Sequence, residues 1–178
     1  MVVSLMLLSA SPFASAGNIT VKAARTSIVN DIAHLDLDLD LEFNPDVVEA
    51  LRSGIAIEFV IDVELYRRRW YWLDSEVARS KHRYRIAFQP LSEQYLLSNV
   101  VTGDRLTFPT FDDVVVALDN LRGLPIADIS TFRSNHRYRG AVQVWLDIKA
   151  LPAPMHPLAY FSRAWRMASD WFEWEVQP

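Results

Sequence analysis

The sequence predicts a mainly β protein, an antiparallel β-sandwich of about eight strands with two short helices. Three observations carry that reading. Short runs alternate apolar and polar residues, turn residues part these runs at fairly even spacing, and no strand–helix–strand rhythm appears. With 178 residues, 51% of them hydrophobic and six of them Trp, the chain can bury a sizeable core as one domain, expected over residues 17–178.

Residues 1–16 read as a signal peptide. Met1 to Phe13 is apolar and too short to span a bilayer, and Ala14-Ser15-Ala16 has the small-x-small form of a cleavage site before Gly17. The positive n-region usual in such leaders is missing. The expectation is an exported, periplasmic protein. It has no Cys, so it must fold on its core alone.

The first strand is expected around Ile19 and Val21, and "AHLDLDLDLEF" (33–43) as the second. "NPDVVEALRSG" predicts a helix of about two turns, with Asn44 as cap, Pro45 at the first helical position and Gly54 at the end. "IAIEFVIDVELY" is a third strand. It sets Ile55, Ile57, Phe59, Ile61, Val63 and Leu65 on one face and Glu58, Asp62 and Glu64 on the other.

"RRRWYWLDSEVARSKHRYR" is expected to form a long hairpin tip. "YRIAFQP", "EQYLLSNVV" and "DRLTF" follow as short strands, with Thr102-Gly103-Asp104 as a turn. "TFDDVVVALDNLRG" predicts the second helix. Thr110 caps it, Asp113 completes a capping-box relative, Val114, Ala117, Leu118 and Leu121 form its stripe, and Gly123 stops it. "YRGAVQVWLDIKAL" is a further strand, "LPAPMHP" an extended linker and "DWFEWEV" the terminal strand.

Asp36, Asp38, Asp40 and Glu42 alternate with leucines, so they line one side of a strand, about 7 Å apart. A strand buried on its other side produces that row without a metal. A calcium loop needs a Gly-bearing turn that wraps the ion, and none occurs here. Directly paired acidic rows repel, so an acidic strand is expected beside Arg83 with Arg85, or Arg137 with Arg139.

A net charge of -4 argues against a nucleic-acid binder. The sequence has no nucleophile elbow, no His-Glu-x-x-His and no phosphate-cradling glycine loop. His34, His82, His136 and His156 are scattered. No catalytic residue, metal ligand or cofactor is expected.

The densest chemistry is an arginine and aromatic hairpin. Arg67, Arg68 and Arg69 precede Trp70 and Trp72, with Arg83 and Arg85 following. Such a cluster resembles a protein-interface anchor, and it also suits an anionic membrane surface. Alternatively, the Trp residues cap the sandwich and the arginines pair with the acidic strands. A second group, Trp165, Trp171, Phe172 and Trp174, is read as core, with a stacking platform for a lipid, peptide or glycan as the alternative.

Three stretches, "LYRRRWYWLD", "YRIAFQPLSEQYLLSNVVTGDRLTFPTFDDVVVAL" and "WLDIKALPAPMHPLAYFSRAWRMASDWFEWEV", resemble an exported proteobacterial family known as domain of unknown function 4390. The resemblance covers nearly all of the chain after residue 16. It implies an envelope protein with a signal peptide. It also implies a partner, because such genes often lie near one for a nitrogen-type membrane sensor kinase. The family brings no catalytic residues. The functional expectation is a non-catalytic interaction module that contacts an envelope protein, such as a sensor kinase's outer domain, through Arg67, Arg68, Arg69, Trp70, Trp72, Arg83 and Arg85.

Overall fold

A computed structural model describes residues 17–69 and 74–176. The signal-peptide expectation over 1–16 lies outside the described residues, as do Trp70 and Trp72 of the arginine hairpin.

Two antiparallel sheets form a sandwich. The smaller joins β1 (Asn18–Val29), β2 (Ile32–Glu42) and β7 (Asn120–Asp128) in the order β1-β2-β7. The larger holds β3 (Ile57–Arg67), β4 (Ser75–Gln89), β5 (Gln94–Asn99), β6 (Arg105–Phe108), β8 (Tyr138–Leu146) and β9 (Phe172–Val176). Its order is β6-β5-β4-β3-β8-β9. The period-two leucines of β2 (Leu35, Leu37, Leu39 and Leu41) are buried in the same core as Ile57, Phe59, Ile61, Val63 and Leu65 of β3. Trp174 ties the sheets together where its Nε1–H donates to Thr26 Oγ1 at 2.9 Å. No helix among the described residues is long and apolar enough to cross a membrane.

Local chemistry sets the helix starts. Asn44 accepts from the Asp46 N–H at 2.8 Å ahead of α1 (Pro45–Arg52). Thr110 accepts from the Asp113 N–H at 3.2 Å ahead of α2 (Phe111–Asp119).

The second helix is shorter than its apolar stripe predicts. It ends at Asp119, and "NLRGLPIAD" becomes β7, a ninth strand that the periodicity did not reveal. Leu121 fits a helical stripe, but the open edge of β2 offers it a ladder opposite Leu37. Gly123 stops no helix. It occupies a bulge at φ +66° between Leu121 and Leu124, and its N–H donates to Asp36 Oδ1 at 2.9 Å. The "LPAPMHP" segment is no extended linker either. It folds as a 3-10 turn over Ala153–Met155 that runs into a third helix, α3 (His156–Phe161).

The region expected as a long tip is mostly strand. β4 pairs with β3 from Arg67↔Ser75 to Ile57↔Ile86. β3 lies between β4 and β8 and is buried on both faces. Its acids, which alternation would place on a wet face, are closed off, with Glu58 5%, Asp62 2% and Glu64 9% exposed. The basic row of β4 makes this tolerable. Glu58 lies opposite Arg85, Asp62 opposite Lys81 and Glu64 opposite Arg79, the juxtaposition that charge pairing requires.

Candidate functional site

Just past the end of β3 the chain meets the loop before β8. Arg67 lies opposite Tyr138, and the Arg68 N–H donates to the Arg137 carbonyl at 2.9 Å, one step beyond the ladder. The loop is built by short-range bonds. Asp128 accepts from the Ser130 N–H at 2.8 Å and starts a 3-10 turn over Ile129–Thr131. Those bonds to Ser130 hold the Asp128 carboxyl below its ordinary range. Ile129 N–H donates to the Asp31 carbonyl at 2.8 Å, which anchors the loop to the β1–β2 turn.

Tyr138 then fixes the next stretch. Its ring is buried and meets Phe132 edge-on at 5.0 Å. Its hydroxyl accepts the Arg133 N–H at 2.7 Å. Asn135 turns the chain at φ +65°, and His136 Nδ1 lies 3.1 Å from the Ser134 carbonyl. The result is a cleft of about 890 Å³ lined by Arg67, Arg68, Arg69, Arg133, Asn135, His136 and Arg137.

Among the described residues, that lining contains five guanidiniums, an imidazole, an amide and no carboxylate. Arg67, Arg69, Arg133 and Arg137 form no ion pair with any described residue, and Arg68 reaches Glu175 at 3.7 Å. Arg69 is placed through its main chain, which donates to Asp74 Oδ1 at 3.4 Å. Asp74 in turn holds Arg139 at 3.3 Å. Among the described residues the cleft therefore concentrates positive charge that only Glu175, 3.7 Å from Arg68, answers, a composition suited to an anion.

Away from the cleft, the acids of β3 and the Asp38 and Asp40 carboxylates of β2 are answered by bases. Asp62 takes a bidentate pair from Arg79, at 2.9 and 2.5 Å, and a contact from Lys81 at 3.2 Å. Burial alone would raise the Asp62 carboxyl; the bonds from Arg79 and Lys81 outweigh it and hold the group below its ordinary range. Tyr66 donates to Glu64, which, with burial, pushes the phenol up to about 12. On the β2 row, Asp38 meets Arg25 at 2.6 Å and Arg122 at 2.5 Å, and Asp40 meets Lys22 at 2.8 Å.

Of the residues singled out in the sequence, Arg67, Arg68 and Arg69 line the cleft. Arg83 and Arg85 do not join them. They sit towards the other end of β4, where Arg85 pairs with Glu58, and Arg83 reaches Asp147 at 2.9 Å. The register separates Arg85 from the cleft by about nine residues of strand, roughly 30 Å. Arg133, Asn135, His136 and Arg137 were missed. The signal was "RSNHR", nearly as basic as "RRR", but only the β3–β8 register brings the two together. The C-terminal aromatic group divides: Trp165 and Trp174 are buried, and Trp171 is 43% exposed.

The family model described as domain of unknown function (DUF4390) matches residues 16–175. The chain belongs to that family. The DUF4390 match covers every residue of the cleft and all of both sheets but Val176. Comparison with curated proteins gave no match, and comparison with solved structures gave none.

Proposed function

We propose that this DUF4390 chain is a non-catalytic interaction module of the bacterial envelope, and that its arginine end docks on an acidic surface of another envelope protein. The outer domain of a membrane sensor kinase is one candidate. One observation carries the reading: among the described residues the cleft is lined by five arginines and no carboxylate, whereas Arg25, Arg79, Arg83, Arg85, Arg122 and Arg139 each pair with an acid. Unmatched guanidiniums steer and grip an acidic partner. The envelope location rests on the leader-like residues 1–16 and on the family resemblance.

In-cell crosslinking of a tagged copy, read by mass spectrometry, tests this. A partner captured by the wild type and lost from an Arg67→Ala, Arg68→Ala, Arg69→Ala variant is the expected result. Equal capture by both moves the contact elsewhere on the sandwich.

A further inference from the structure

The shape and charge of the cleft narrow the anion it takes. A single carboxylate carries one charge and satisfies one planar guanidinium fork. The cleft offers Arg67, Arg68, Arg69, Arg133 and Arg137, with His136 beside them. A phosphoryl group carries up to two charges and three acceptor oxygens, so it engages several forks at once. A volume of about 890 Å³ exceeds what one small oxyanion fills and suits a phosphorylated ligand or a diphosphate.

The receptor is also set before binding. The Arg68–Arg137 main-chain bond and the Tyr138 hydroxyl on Arg133 fix both walls, so an incoming anion need not order the backbone. We infer that the cleft is a binding site for a phosphoryl-bearing anion of the phosphomonoester or pyrophosphate class. The inference rests on the arginine end being the functional surface. A ligand seated there covers the surface proposed for the protein partner, so the two would exclude each other.

Calorimetric titration of the full chain with sodium pyrophosphate, beside malonate as a dicarboxylate control, tests the chemistry. We expect one pyrophosphate per chain, bound at least about tenfold more tightly than malonate. Arg133→Gln with Arg137→Gln should weaken it by about tenfold or more, and so should Arg68→Gln with Arg69→Gln. A far-ultraviolet spectrum like the wild type's checks the fold of each variant.

Flotation with phosphatidic acid vesicles, against phosphatidylserine vesicles, identifies the source. Preference for the phosphomonoester headgroup assigns the site to a lipid. Pyrophosphate binding without flotation assigns it to a soluble ligand. Malonate binding as tightly as pyrophosphate, binding unchanged in both folded variants, or no binding to either phosphate form overturns the inference. Partner capture is read separately, so the docking proposal can stand when this one falls.

Discussion

The Arg68 main-chain N–H donates to the Arg137 carbonyl at 2.9 Å, which holds two exposed arginines side by side with, among the described residues, only Glu175, 3.7 Å from Arg68, in reach. Strand register forces these two like charges together. Such an arrangement does not favour folding, because each guanidinium repels its neighbours; under the proposed function it serves binding instead.

The first prediction separates those two roles. Arg133→Gln with Arg137→Gln should leave unfolding stability within about 0.5 kcal/mol of the wild type, or raise it slightly. A urea unfolding curve checks this. A large loss would mean that the cleft arginines support the fold.

The buried ladder should behave in the opposite way. Asp62→Ala removes a carboxylate that two cations answer, and should cost about 1–3 kcal/mol. Arg79→Gln should also lower the urea midpoint, because it leaves Asp62 buried with Lys81 alone. Neither change should alter pyrophosphate binding.

His82 should make stability depend on pH. Burial pushes its pKa below the ordinary 6.5, and a bond to the Pro125 main chain offsets this only in part. Its Nε2 is buried with no partner among the described residues, so the charged ring is disfavoured in the fold. The unfolded chain takes up a proton near pH 6.5 and the folded chain does not, so stability falls as pH drops from 7 through 6. Asp62, whose pKa is also depressed, adds a loss of the same sign at lower pH, below the carboxylate value of 3.8. Urea midpoints at pH 7.5 and 5.5 should differ for the wild type and differ less for His82→Phe. Equal slopes in the two proteins would contradict this.

Gly140 tests the packing of β9 on β8. A Cβ there would collide with the Trp174 ring, and that ring also carries the bond to Thr26. Gly140→Ala should cost roughly 1–3 kcal/mol through overpacking. Thr26→Val should cost only about 1 kcal/mol, the value of one hydrogen bond. Thermal unfolding distinguishes them.

What the sequence disclosed was mostly what local chemistry decides. The alternation in β2 and β3, the caps at Asn44 and Thr110, and the Gly103 turn at φ +81° all stood in the order of residues. Long-range pairing decided the rest. Leu121 obeys both a helical and a strand period, and only the edge of β2 selects the strand. The acids of β3 look wet until β4 and β8 flank them. Half of the cleft was visible as "RRR". Its other half required knowing that Arg67 lies opposite Tyr138, which no spacing in the sequence reveals.

The most direct test of the account uses the half of the cleft that the sequence did not point to. In-cell crosslinking should be repeated with Arg133→Gln and Arg137→Gln, leaving Arg67, Arg68 and Arg69 intact. If both loops form one site, partner capture should fall as far as it does in the triple-alanine variant. Full capture by this variant, folded as the wild type, would contradict a single arginine cleft as the functional surface.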